Sequence, residues 1–214
     1  MPEIYGGKSK KDASAYHFLA FAKAARPREL SSVTFSVPLS WAASRAQGAY
    51  LELVLRAAEL LRPEHGYAGL SVILPPREPG QGSDMAYAVP IALRFRGVDL
   101  DIAFMQARFM HAGIKGVNWL TILGDAWIEK LGGVATVKTA LRADIPVHTY
   151  EGGIIVQAGP NPVFGDVNRN EPMPYYERVA QVVKPIRLVD FRAVAPHHGM
   201  DRERTREWLA RFER

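Results

Sequence analysis

Hydrophobic residues recur at helical spacing in several stretches of the chain. In the clearest stretch, apolar residues follow one another at intervals of three and four from Leu51 to Leu61, and Pro63 comes next. This spacing predicts an amphipathic helix that ends before the proline. Similar patterns predict helices over 15–26, 83–95 (with Pro90 inside), 126–131, 175–183 and from Asp201 onwards, where Asp201 is a plausible cap.

Short apolar runs rich in β-branched residues predict strands over 33–39, 70–74 and 117–123. Two further runs, 145–150 and 153–158, flank Glu151-Gly152, which predicts a hairpin. His65–Gly69 is typical of a turn, and 75–82 is a loop dense in proline and glycine.

Helices and strands alternate, but the hairpin argues against a purely parallel sheet. We therefore predict a mixed α/β (α+β) fold with a mainly antiparallel sheet of short strands, flanked by amphipathic helices. The segments 65–71 and 114–121 resemble each other weakly, which allows an internal duplication. We divide the chain into an N-terminal tail and short helix (1–32), a core domain (33–190) and a C-terminal helix packed on the core (191–214).

Composition narrows the classes of function. The 214 residues contain no cysteine, which excludes a disulfide framework, a thiolate zinc site and a cysteine nucleophile. No apolar run reaches the roughly 20 residues of a membrane span. The first 14 residues are polar and do not resemble a secretory signal, so we expect a cytoplasmic protein with no membrane partner.

The net charge of +5 leaves a nucleic-acid-binding protein as an alternative. It would use the basic run Lys8 to Lys11 and the surface arginines. The basic residues are, however, dispersed among acids, as in Asp201 to Arg204. A high isoelectric point alone bears on solubility and association, so we favour no direct contact with nucleic acid.

Known catalytic motifs are missing from the sequence: it contains no phosphate-binding loop, dinucleotide fingerprint, zinc-protease helix or nucleophile elbow. His197 and His198 are adjacent and form a poor chelate. His65 and His148 are better explained as hydrogen-bonded structural residues. We therefore assign no catalytic residue, no cofactor and no metal.

Three aspartates are considered for a chemical or structural role. Asp99 and Asp101 share a face in an extended segment and could serve acid–base chemistry, although a solvated strand start explains them better. An uncharacterised hydrolase using Asp99, Asp101 or His197 thus stays open as an alternative. Asp166 lies in a turn in which its side chain can accept hydrogen bonds from nearby backbone amides.

Glycines and tryptophans are dense over 116–133 and 152–169, as expected of tight corners and a well-packed core. With 65–69, 175–180 and 184–187, these blocks resemble the TsiV-like family of type VI secretion immunity proteins, formerly a domain of unknown function. The resemblance covers roughly Val33 to Leu188. It implies that the chain binds a cognate antibacterial toxin, often a nuclease, by stoichiometric protein–protein contact.

An inhibitor that mimics DNA should be acidic, whereas this chain is basic. Our hypothesis is that it binds an apolar or acidic surface of the toxin outside the DNA cleft, or covers that cleft with a local acidic patch. The candidates for toxin contact are Asp99, Asp101, Asp125 and Asp166.

Overall fold

The computed structural model describes residues 2–9, 12–22, 30–44, 48–75, 83–100, 107, 110–189 and 194–213. In these ranges the strands are β1 (Glu3–Tyr5), β2 (His17–Phe21), β3 (Ser32–Ser36), β4 (His65–Ala68), β5 (Leu70–Ser71), β6 (Val98–Asp99), β7 (Leu120–Gly124), β8 (Val147–Tyr150) and β9 (Gly153–Gln157). The α-helices are α1 (Leu39–Ser44), α2 (Ala49–Leu61), α3 (Ser83–Arg94), α4 (Asp125–Lys130), α5 (Val134–Ala140), α6 (Pro174–Val183) and α7 (Arg202–Leu209).

A four-stranded antiparallel sheet in the order β4-β7-β9-β8 forms the centre of the fold. Every residue of β7 and β9 is buried, which explains why apolar residues follow one another in both strands instead of alternating with exposed polar residues. The predicted hairpin is confirmed: Tyr150 pairs with Gly153, and Gly152 has a φ of 100°, which favours glycine. The predicted mixed fold with a mainly antiparallel sheet is also confirmed.

Two hydrophobic clusters hold the helices. The larger cluster joins the four-stranded sheet to α2, α4 and α6, through side chains such as Val54, Trp127 and Tyr176. The smaller cluster joins α3 to the C-terminal helix α7, where the Trp208 indole donates to the Ala92 carbonyl at 3.3 Å. Pro90 lies inside α3, as the sequence predicted, and Asp201 caps α7 by accepting from the Arg204 amide at 2.9 Å.

The N-terminal segment differs from its prediction. The prediction of a short helix over 15–26 is wrong. His17–Phe21 forms strand β2, which is the central strand of an antiparallel sheet between β1 and β3. Residues 1–14, predicted as a tail, contribute β1. Pairing with β3 overrides the weak helical spacing, since a strand between two neighbours satisfies its backbone groups on both sides. No residue of these three strands is fully buried.

Two smaller differences concern the core. Most of the residues predicted as a turn, His65–Gly69, form strand β4. Helix α5, which begins shortly after the end of α4, was not predicted. The predicted loop over 75–82 lies almost wholly outside the described residues. No helix in the described ranges has the length and apolar character of a membrane span.

Candidate functional site

Asp99 is buried, with 4% of its surface exposed, so its prediction as part of a solvated strand start is wrong. Its carboxylate accepts from the Lys115 ammonium at 2.7 Å and from the Asn118 amide at 3.1 Å. Lys115 is buried as well and also donates to the Leu100 carbonyl at 2.7 Å. Asp99 therefore neutralises an internal cation, and a partner protein cannot reach it in this conformation.

Asp166 is also buried and serves its own chain. The Arg94 guanidinium donates to both carboxylate oxygens, at 3.2 and 2.8 Å, and the Asn168 amide donates at 3.0 Å. The bond from Arg94 lowers the pKa of Asp166 below its ordinary value. The predicted turn, in which Asp166 accepts from a local amide, is confirmed. Asp101 lies outside the described residues.

Asp125 is exposed at one end of the four-stranded sheet. Its backbone amide donates to the Gly152 carbonyl at 3.0 Å, and the preceding amide of Gly124 donates to the Glu64 carbonyl at 2.8 Å. These two bonds bring the loops of Glu64 and Glu151 to the first turn of α4. Glu129, one turn along α4, shares the face of Asp125.

We call the exposed carboxylates Glu64, Asp125, Glu129 and Glu151 the acidic end. Two cations lie close by: Arg62 is paired with Glu151, and Lys130 lies 3.9 Å from the centre of the Trp127 ring. Below the acidic end, burial raises the pKa of Tyr150 to about 12, with a further contribution from the Asp125 carboxylate. The acidic end is therefore a locally negative surface on a chain of net charge +5.

A large cleft, mostly apolar, lies between the N-terminal sheet and the body of the fold, with a volume of about 2090 Å³. We call it the N-terminal cleft. Leu19, Phe35 and Leu39 line it from the N-terminal side, and Tyr50, Leu51 and Leu61 line it from α2. Glu64 belongs to both the cleft and the acidic end, so the two surfaces are continuous.

The histidines have structural surroundings. The predictions for His65 and His148 are confirmed: His65 Nε2 lies 2.8 Å from the Met110 carbonyl, and His148 Nε2 lies 2.9 Å from Gln157 Oε1. Burial lowers the pKa of His65. His197 and His198 lie in a 3₁₀ turn at the border of the N-terminal cleft. Within the described ranges, no three acidic or histidine side chains gather as they would around a metal ion.

Several exposed arginines of the described ranges are paired with carboxylates on the protein's own surface. Arg56 pairs with Glu52, Arg62 with Glu151, and Arg142 with Asp144, at 3.1, 2.6 and 2.9 Å. These pairs reduce the unneutralised positive charge that a phosphate backbone requires. Of the basic run proposed for nucleic acid, Lys10 and Lys11 lie outside the described residues.

Sequence reasoning missed the acidic end and the N-terminal cleft. Three segments distant in sequence form the acidic end, and only Asp125 among its residues was predicted as a candidate for toxin contact. One signal for the cleft was present: Leu60 and Leu61 follow each other at the end of α2, and a helix cannot bury both on one narrow face.

Comparison with known proteins identifies a family and a similar solved structure. The profile of the TsiV family, described as type VI immunity for VRR-NUC, matches residues 2–212, including the N-terminal segment that the sequence resemblance did not reach. No curated protein matches the chain. Among solved structures, the Pseudomonas aeruginosa T6SS protein PA0821 superposes with a TM-score of 0.86 at 28% identity, covering 96% of this chain and 60% of that chain. The present chain thus spans about 60% of the length of that protein.

Proposed function

Because the chain belongs to the TsiV family, type VI immunity for VRR-NUC, we propose that it binds and neutralises a cognate VRR-NUC nuclease toxin. Neutralisation is stoichiometric and takes place in the cytoplasm, where such a toxin meets DNA. The observation that carries this proposal is the match of the family profile to nearly the whole chain. The matched range includes all the elements that form the acidic end and the N-terminal cleft.

The contacts of the chain's own carboxylates favour binding over hydrolysis. Asp99, one of the three residues considered for acid–base chemistry, is committed to Lys115 and Asn118 inside the protein. A general base must instead reach the proton that it abstracts, directly or through one water molecule. This engagement of Asp99 supports the proposed role of the chain as a protein ligand for the toxin.

Asp125 is the described candidate for toxin contact that remains accessible. A nuclease binds DNA through a positively charged surface, and the acidic end presents complementary charge. We extend the candidate set from Asp125 to Glu64, Glu129 and Glu151. On this proposal a chain of positive net charge can still bind a DNA-binding surface, because the part that contacts the toxin carries negative local charge.

Charge reversal tests the acidic end. The double variant Asp125→Lys/Glu129→Lys should weaken toxin binding and slow association, with the largest effect at low salt, because the steering charge is reversed. The matched control is Glu203→Lys/Glu207→Lys on α7, which reverses two exposed carboxylates on another helix. Equal affinities for the two double variants would show that the acidic end does not contact the toxin.

Co-expression tests the function itself. Cells that produce the cognate VRR-NUC toxin should grow only when this chain is produced with it, and the two proteins should elute together in gel filtration. An unrelated nuclease toxin serves as the specificity control and should remain lethal. Failure to restore growth, together with separate elution, would refute the proposed function.

A further inference from the structure

We propose that the N-terminal cleft receives an apolar segment of the toxin that is flanked by lysine or arginine side chains. This inference rests on the proposed function and adds the surface and the chemistry of contact. It concerns the walls of the cleft between the N-terminal sheet and α2, whereas the acidic end borders the cleft only at Glu64.

The size of the cleft favours a polypeptide segment over a small molecule. Its volume of about 2090 Å³ exceeds the roughly 300–1,000 Å³ of pockets that hold small ligands. A helix or hairpin from another protein occupies a space of this order. The open arrangement of the N-terminal sheet, in which no strand residue is fully buried, leaves both walls accessible to such a segment.

The walls of the cleft carry apolar side chains that the fold leaves in contact with solvent. Leu39, at the start of α1, is 62% exposed, and Leu61, at the end of α2, is 49% exposed; both line the cleft. Phe35, on the N-terminal wall, already packs against the main core, so the cleft is continuous with the hydrophobic interior. Contiguous apolar surface with a polar border is typical of a protein-binding site.

Charge selects among the possible occupants. Five carboxylates line the cleft: Glu3, Glu64, Asp84, Asp99 and Asp144. Asp99 is buried against Lys115 and Asp144 is paired with Arg142, so Glu3, Glu64 and Asp84 supply the negative border. Among its described lining residues the one lysine or arginine is Arg62, which is paired with Glu151 at 2.6 Å. An apolar surface with a negative border attracts a segment with cationic flanks and repels nucleic acid. Although the net charge of the chain is +5, the local charge of this border is negative, so it also disfavours a negatively charged patch on the partner.

Two adjacent leucines of α2 provide a matched test. Leu61 lines the cleft, whereas Leu60 is 84% exposed and does not. Leu61→Lys places a cation among the apolar walls and should weaken binding to a catalytically inactive VRR-NUC toxin, measured by calorimetry, by roughly tenfold or more. Leu60→Lys, with the same change in composition and helix propensity, should bind within about twofold of wild type.

A second pair tests the border of the cleft. Glu64→Lys should weaken binding and reduce its dependence on salt. Glu59→Lys changes an exposed carboxylate of α2 outside the cleft and should leave both unchanged. Thermal unfolding of each variant verifies that it is folded.

The outcomes separate this inference from the proposed function. If the wild type binds the toxin and Leu61→Lys binds equally well, the cleft is not the site, although the function stands. Equal losses for the Leu60 and Leu61 variants overturn the assignment in the same way. If the wild type is a dimer that Leu61→Lys dissociates, a second copy of this chain occupies the cleft. If the wild type does not bind the toxin at all, both proposals fall.

Discussion

Replacing Asp99 by alanine removes the carboxylate that holds two buried polar side chains. In the wild type it accepts from Lys115 at 2.7 Å and from the Asn118 amide at 3.1 Å. In the variant, Lys115 keeps the Leu100 carbonyl at 2.7 Å and the Tyr67 hydroxyl at 3.3 Å, but it loses its counter-charge. The consequence is a buried cation without a compensating anion.

The expected loss follows from the burial of both partners. The side chain of Lys115 is 3% exposed and that of Asp99 is 6% exposed. Removing one partner of such a pair costs about 3–5 kcal/mol of unfolding free energy. For a domain of this size, each kcal/mol corresponds to about 2–4 °C, so the melting temperature should fall by roughly 6–20 °C.

Differential scanning calorimetry measures this loss, with urea unfolding as a second reading. The matched control is Glu52→Ala, which removes the acidic partner of the exposed pair with Arg56 and should cost at most about 1 kcal/mol. The double variant Asp99→Leu/Lys115→Met should recover much of the stability, because it removes both charges and fills the space with apolar groups. A melting temperature for Asp99→Ala equal to that of Glu52→Ala would refute the reasoning.

Three further predictions concern local structure. Since Arg94 lowers the pKa of Asp166, this carboxylate stabilises the fold above its unfolded value of about 3.9, and the contribution is lost as pH falls through the lower folded value. The melting temperature of the wild type should therefore fall more steeply below about pH 4 than that of Asp166→Asn; parallel curves would contradict this. Gly124→Ala should cost roughly 1–3 kcal/mol in urea unfolding, because its Cβ would lie 2.7 Å from the Glu64 carbonyl oxygen and 2.8 Å from that of Pro63; an unchanged midpoint would show that these loops can move. Asp201→Ala should cost about 0.5–2 kcal/mol through loss of the cap on the Arg204 amide, and an equal loss in Glu203→Ala would argue against capping.

Local signals in the sequence were sufficient for several elements. The apolar spacing of α2, the Glu151-Gly152 turn and the Asp201 cap each depend on residues a few positions apart. Helix α5 also has such a signal, since Val134 and Val137 are spaced for one helix face, but the predicted helix over 126–131 stops before Gly132-Gly133 and no second helix was predicted. Both glycines have positive φ; they follow the end of α4, as predicted, and α5 begins directly after them.

Long-range pairing limited the rest. Strand β2 pairs with two distant segments, and no local pattern specifies that His17 lies beside Tyr5 and Ser36. The burial of Asp99 depends on Lys115, which lies on another segment and gives no sign in the sequence of pointing inwards. The acidic end likewise exists only because the start of β4, the end of β7 and the turn between β8 and β9 lie together.

The proposed neutralisation is tested most directly by titrating this chain into the VRR-NUC nuclease proposed as its toxin while DNA cleavage is measured. Stoichiometric neutralisation predicts that the cleavage rate falls in proportion to added protein and reaches zero near equimolar amounts. At the end point, light scattering should give the mass of a complex of the two proteins. Undiminished cleavage in the presence of a large excess of folded protein would contradict the central claim.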